Sequence, residues 1–85
     1  MDIQFITNTI VKNKPNAVIS KNIDITTASS YRGDMEGLLV KKLNIPYHQV
    51  TYNIALNGFN SSSDYNGETN ILLFDSGTVT NYINV

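Results

Sequence analysis

The sequence predicts an α+β domain, and three observations support that class. Apolar and polar residues alternate near both ends of the chain, which is typical of half-buried strands. A stretch with the helical spacing of apolar residues follows Asp34. The continuous apolar run Ile71–Phe74 has the length of a buried strand. Because the chain has 85 residues and no cysteine, we expect one domain over 1–85 that relies on packing or assembly and not on disulfides.

The N-terminal segment is predicted to be a β-hairpin. Residues 2–11 alternate between apolar and polar side chains, and residues 17–27 alternate again, with three isoleucines on one side. The segment 12–16 between them contains Pro15 and two asparagines, which favour a turn. We therefore expect two strands within residues 1–28.

A short helix is predicted over Met35–Leu43. Asp34 stands at its N-cap, where a carboxylate accepts hydrogen bonds from free backbone amides, and Glu36 opposes the positive end of the helix dipole. Asn44 tolerates the left-handed conformation that ends a helix, and Pro46 prevents its continuation.

Residues 50–56 fit two predictions equally well. Their strict alternation, followed by the hairpin signal Asn57-Gly58, favours a strand. The spacing of Tyr47, Val50 and Ile54, with Pro46 in front, favours a helix that Asn57-Gly58 would end. If the segment is a strand, the fold is all-β.

The C-terminal third is predicted to contain two strands. After a polar loop over 60–67, Ile71–Phe74 is expected in the middle of a small sheet with both faces buried. A turn at 75–77 and renewed alternation over 78–85 then predict that the chain ends in a hairpin.

Residues 31–74 resemble the LysM module. The resemblance lies in the order and spacing of Gly33-Asp34, Lys41–Ile45, Asn57-Gly58-Phe59 and Gly67-Glu68, and it covers about half of the chain. It implies a β-α-α-β core in which Pro46–Leu56 is a helix, so it favours the helical alternative for 50–56. The predicted fold is thus a LysM-like core with extra N- and C-terminal strands forming hairpins, the latter at 75–85.

Several positions depart from the LysM pattern. Met35-Glu36 replaces the usual Thr-Leu, and Gly37 interrupts the first helix. The second helical segment is about three residues longer than is usual for the family. With these departures, the segment resembles the LysM-like modules of phage contractile-tail baseplates, where the module is a packing unit. Other LysM domains bind N-acetylglucosamine polymers. If this chain resembles those, the resemblance implies a sugar groove at Gly33, Asp34, Met35, Glu36, Asn57, Gly58 and Phe59.

Composition and motifs indicate no catalytic, cofactor or metal site. The net charge of −1 supplies no basic field for nucleic acid, and the apolar runs are too short to span a membrane. His48 is the only histidine, so we interpret it as a surface or interface residue. The N-terminus lacks the features of a signal peptide, so we expect synthesis in a host cytoplasm without secretion.

The predicted terminal strands offer two alternatives of equal weight. They close the sheet internally, or they present free edges to which a neighbouring subunit adds a strand. The second alternative predicts interface residues at Ile3, Phe5, Val79, Tyr82, Ile83 and Val85.

These observations favour a non-enzymatic assembly subunit of a phage or phage-like contractile tail, located in the virion and in contact with other structural subunits in several copies. The alternative is a LysM-type module that binds peptidoglycan or chitin. A small phage inhibitor of a host protein is a third hypothesis, which the size of the chain permits.

Overall fold

Five helices surround a two-stranded antiparallel sheet in the computed structural model, which describes the backbone of residues 2–83 and the side chains of residues 2–80. The predicted α+β class is confirmed. The helices and strands are α1 (Ile3–Asn13), β1 (Val18–Asn22), α2 (Ile25–Ser30), α3 (Met35–Gly37) with a π-helical continuation (Leu38–Lys42), α4 (Val50–Leu56), β2 (Asn70–Phe74) and α5 (Ser76–Ile83). Short 3-10 turns occupy Pro15–Ala17, Tyr47–Gln49 and Ser62–Asp64.

The N-terminal segment is helix α1, so the predicted N-terminal hairpin is wrong. Asp2 caps this helix, because its Oδ1 accepts hydrogen bonds from the N–H groups of Gln4 at 3.0 Å and Phe5 at 3.2 Å. Ile3, Ile6 and Ile10 lie three and four residues apart and form one helical stripe that packs inward. The apolar residues that suggested a strand therefore also satisfy a helix.

The second predicted strand is shorter than expected and pairs with a different partner. Only Val18–Asn22 is extended, and it pairs antiparallel with β2, with Val18 opposite Phe74 and Asn22 opposite Asn70. Residues 25–27, predicted to be extended, begin α2, because the Asp24 carboxylate accepts hydrogen bonds from the next free amides.

The predicted helix after Asp34 is confirmed, and its second half is a π-helix. Leu43 N–H donates to Leu38 O at 3.1 Å, which is the five-residue spacing of that form. Asn44 follows with a φ of 55°, the left-handed conformation predicted for the helix end.

Residues 50–56 form helix α4, so the strand alternative and the all-β fold are wrong. Three stripes of this helix have different neighbours. Val50 and Ile54 pack into one core cluster, Tyr52 packs into the other, and Asn53 lies between them against β2.

Two apolar clusters lie on the two faces of the sheet. Ile71 and Leu73 pack on one face with residues of α3 and α4, and Phe74 packs on the other with α1 and α5. Burial on both faces of Ile71–Phe74 is therefore confirmed except at Leu72, which is 39% exposed. The prediction that this strand lies in the middle of a sheet is wrong, since α4 and not a third strand covers its outer edge.

The C-terminal segment is helix α5, so the predicted C-terminal hairpin is wrong. The Thr78 hydroxyl donates to the Asp75 carboxylate, and Val79 N–H donates to Asp75 O at 3.1 Å. These bonds begin the helix where a turn was predicted. Val79 is fully buried in the cluster around Phe74.

Candidate functional site

A groove with an apolar floor and a polar rim lies between the start of α1, the side of α4 and the loop after it. Its volume is about 360 Å³. Val50, Ile54 and Phe59 contribute to the floor, and Asp2 and Glu36 are the acidic residues among the described residues that line it. We call this the α1–α4 groove. It offers a narrow apolar surface beside two carboxylates.

The groove brings together two of the seven predicted sugar-site residues. Glu36 of α3 and Phe59 after α4 both line it, and Glu36 N–H donates to Ser62 Oγ at 2.9 Å, which joins α3 to the loop after α4. Met35 is fully buried in the core, so it does not reach the groove surface. Gly33 and Gly58 are exposed turn residues with φ values of 78° and 81°.

Asp34 acts as a helix cap and not as a free acid. Its Oδ1 accepts the hydrogen bond of Gly37 N–H at 3.0 Å. A Cβ at Gly37 would overlap the Asp34 carboxylate and lie 3.1 Å from Tyr31 Cδ1. The glycine that interrupts the predicted helix is therefore required by the cap.

Gly37→Ala is expected to destabilise the protein, although alanine favours a helix by about 1 kcal/mol. The new Cβ displaces the Asp34 carboxylate, and loss of such a cap costs about 1 kcal/mol, with the steric conflict added. In an Asp34→Ala background the same Gly37→Ala change should cost less, because the carboxylate is gone and only the 3.1 Å contact with Tyr31 Cδ1 remains. Urea denaturation of the two single variants and the double variant measures this difference. An equal effect of Gly37→Ala in both backgrounds would contradict it.

Tyr65 holds the loop that carries Gly33. Gly33 N–H donates to Tyr65 O at 2.7 Å, and the buried Tyr65 phenol donates to Glu68 O at 2.7 Å. Burial raises the pKa of the Tyr65 phenol above its ordinary value of 10.0, and the negative charge of Glu68 raises that pKa further.

The stability of the protein should therefore fall at alkaline pH, in part through Tyr65. The folded state binds the phenolic proton more tightly than the unfolded chain, so this contribution is complete below pH 10.0 and is lost as the pH rises through the higher folded-state pKa. Tyr65→Phe should flatten the fall in free energy of unfolding above about pH 10. Urea denaturation across this range tests it, with Tyr47→Phe as the control for an exposed phenol. Equal slopes for wild type and Tyr65→Phe would exclude the effect.

Asn57, predicted to border a sugar groove, instead covers the outer edge of β2. Its Oδ1 accepts from Leu72 N–H at 2.8 Å, and its Nδ2 donates to Leu72 O at 2.8 Å. One turn earlier, Asn53 Oδ1 accepts from Phe74 N–H at 2.7 Å. The two side-chain amides thus take the place of a third strand.

The opposite edge of the sheet, along β1, has no such cover among the described residues. The bonds Asp75 N–H to Ala17 O and Ile23 N–H to Thr69 O, each 2.6 Å, show that the odd-numbered backbone groups face β2. Those of Ser20 and Asn22 therefore point outward, and they make no backbone hydrogen bond in the described part of the chain. We call Val18–Asn22 with these outward groups the β1 edge.

None of the predicted terminal interface residues whose backbone the structure describes lies on a strand edge. Ile3 and Phe5 lie on α1, where Phe5 is 67% exposed, and Val79 is buried in the core. The side chains of Tyr82 and Ile83, and all of Val85, lie outside what the structure describes. The prediction of open strand edges in the terminal segments is thus wrong for residues 2–11 and 78–83, because their backbone groups bond within helices α1 and α5. No sequence pattern marks Ser20 or Asn53 as functional, since the partners of a strand edge depend on long-range pairing.

His48 is not accompanied by a set of metal ligands. Its Nε2 is buried and makes no hydrogen bond to the described residues, and the same holds for Thr7 Oγ1 and Gln49 Oε1. Within the described part of the chain, no group of three His, Cys, Asp or Glu side chains is placed to hold a metal ion. Among residues 2–83, every helix is too short or too polar to cross a membrane.

Comparison with known proteins gives no relative from which a role could be transferred. No protein-family model, no curated protein and no solved structure matches this chain.

Proposed function

We propose that this chain is a non-enzymatic structural subunit of a phage or phage-like contractile tail, in the baseplate, and that it acts through protein–protein contacts. The observation that carries the proposal is the β1 edge. The side-chain amides of Asn53 and Asn57 cover the β2 edge of the sheet. The β1 edge, in contrast, leaves the Ser20 N–H and C=O without partners among the described residues. An unprotected edge of this kind is a template for a strand from another subunit.

The tail setting rests on the resemblance of residues 31–74 to LysM-like baseplate modules. Helices α3 and α4 lie between the antiparallel strands β1 and β2, which supports the resemblance, whereas β1 precedes residues 31–74 and α2 is an additional helix between β1 and α3. The exposed apolar side chains of Phe5, Ile25 and Tyr47 supply further surface for contacts between subunits.

The proposal is tested by the composition of purified particles. Particles from a culture that produces this chain should contain it in several copies, at a fixed ratio to the tail-sheath or tube subunit, by quantitative mass spectrometry. Presence of the chain in the lysate together with its absence from the particles would overturn the assembly function.

A second candidate function is glycan binding in the α1–α4 groove. The observation that favours it is the meeting of Glu36, Phe59 and Ser62 at one place, since an aromatic face beside hydrogen-bonding groups suits a sugar ring. Titration of the isotope-labelled protein with N-acetylglucosamine oligomers and solubilised peptidoglycan tests it. Saturable shifts of the backbone amides of Glu36 and Phe59 would support this candidate, and unchanged spectra would exclude it.

A further inference from the structure

The β1 edge is bordered by a hollow that lies over one face of the sheet. Ile19 and Lys21 of β1 line it together with Leu73 of β2 and with Lys42, Leu43 and Ile45 from the end of the π-helical segment. Its volume is about 370 Å³. Ile19 is 47% exposed, so an apolar surface is open to solvent directly beside the unpaired backbone.

The charge at this hollow is mainly positive. Lys21 and Lys42 line it and are both exposed. Asp75 is the acidic residue among its described lining residues, and its carboxylate accepts the Thr78 hydroxyl at the start of α5. An added strand would therefore meet an apolar surface flanked by two ammonium groups.

We infer that the β1 edge binds an extended segment of another protein in which one apolar side chain is flanked by acidic side chains on the same face. This inference rests on the proposed assembly function and names the chemistry of its partner. The backbone of the segment pairs antiparallel with Ser20 and Asn22. Its apolar side chain lies over the hollow against Ile19, and its carboxylates approach Lys21 and Lys42.

A second copy of this chain fits the β1 edge less well. Two-fold antiparallel pairing centred on Ser20 would place Ile19 opposite Lys21 of the other copy, with the two Lys21 side chains on one face about 7–8 Å apart. It would also bring both Lys42 side chains to that face. The β1 strand itself carries no acidic residue to offset this repulsion. The charges therefore favour an acidic partner.

Binding of a designed peptide tests the inference directly. The peptide Thr-Glu-Thr-Val-Thr-Glu-Thr places valine and both glutamates on one face when extended. Added to the isotope-labelled full chain at low salt, it should cause saturable shifts of the amides of Ile19–Asn22 and Lys42–Ile45, and should slow hydrogen exchange at Ser20. Because the charges are exposed, binding should weaken as salt is added.

Two matched peptides separate the backbone from the charge contribution. The same peptide with lysine in place of glutamate should bind at least about tenfold more weakly, since it replaces two attractions with two repulsions. The acidic peptide N-methylated at the two threonines beside valine should not bind, because it lacks the amide protons that pair with β1. Equal binding of the acidic and lysine peptides, or no binding of either, would overturn the inference.

Variants of Ser20 test the same edge within the protein. Ser20→Pro removes the outward N–H without touching the bonds to β2, whereas Ser20→Ala keeps it. Both should retain the wild-type circular dichroism, and only Ser20→Pro should lose peptide binding. Concentration-dependent dimerisation of the wild type that Ser20→Pro abolishes would show that a second copy is the occupant and would overturn the acidic partner.

Incorporation into particles separates failure of this inference from failure of the proposed function. Wild type and Ser20→Ala should be incorporated, and Ser20→Pro should be lost. Normal incorporation of a folded Ser20→Pro variant would overturn the role of the β1 edge and leave the assembly function in place. Absence of the wild type from particles would overturn the assembly function itself.

Discussion

Phe74→Ala should lower the free energy of unfolding by about 3–5 kcal/mol, the cost of removing a large aromatic side chain from a packed core. Phe74 is 1% exposed and lies in the cluster where Ile10 of α1, Tyr52 of α4 and Val79 of α5 meet. The loss is large beside a total stability of roughly 4–13 kcal/mol for a domain of this length. Urea denaturation followed by circular dichroism measures it.

Leu72→Ala is the matched control for this prediction. Leu72 lies two residues before Phe74 in the same strand and is 39% exposed, so its truncation should cost less than about 1 kcal/mol. If Phe74→Ala does not fold, Phe74→Leu provides a milder change that should still cost more than Leu72→Ala. Equal losses for the Phe74 and Leu72 variants would contradict the assignment of Phe74 as the residue that joins the terminal helices to the sheet.

Asn53→Ala should lower the free energy of unfolding by about 2–3 kcal/mol. Asn53 is fully buried, and its side chain bridges two backbone groups, accepting from Phe74 N–H at 2.7 Å and donating to Gln49 O at 2.9 Å. Alanine leaves the Phe74 N–H buried without a partner, which costs more than the loss of an exposed hydrogen bond. Faster hydrogen exchange at Phe74 should accompany the loss of stability.

Two further asparagine variants serve as controls. Asn57→Ala removes hydrogen bonds to Leu72, but Asn57 is half-exposed, so water replaces them and the expected loss is about 1 kcal/mol. Asn66 is exposed, and Asn66→Ala should change the stability by less than about 0.5 kcal/mol. A loss at Asn53 no greater than that at Asn66 would exclude Asn53 as the cover of the β2 edge.

Asn53 and Asn57 explain why the sheet has one protected and one open edge. In the sequence, they lie in or directly after a segment that fits a helix and a strand equally well, and asparagine is common throughout the chain. No local pattern therefore marks them as the cover of a strand edge. Once α4 lies beside β2, their spacing of one helical turn matches alternate residues of the strand, Leu72 and Phe74. The β1 edge becomes a candidate site only because this cover is one-sided.

Of the predicted sugar-site residues, the sequence placed Glu36 and Phe59 near each other through a resemblance, and the structure brings them to one groove. Met35 and Asn57 were assigned to the same place, but their side chains point into the core and against β2. The spacing of motifs predicts which segments of the chain lie close together. It does not predict which side chain of a segment faces outward, because that depends on what the neighbouring elements bury.

The sequence by itself determined the helix that begins after Asp34 and the strand Ile71–Phe74, and these two elements are enough for the α+β class. The alternation over 2–11 and 78–83 lies in helices and does not contribute to that class. The two elements rest on local signals: a carboxylate at a cap, Asn44 and Pro46 at a helix end, and a continuous apolar run. Tertiary structure decided the rest. Short terminal segments with apolar residues at mixed spacing satisfy both the strand and the helix period, so burial against β2 and α4 decides between them. The pairing of β1 with β2 joins residues about fifty positions apart, and no local pattern specifies such a contact.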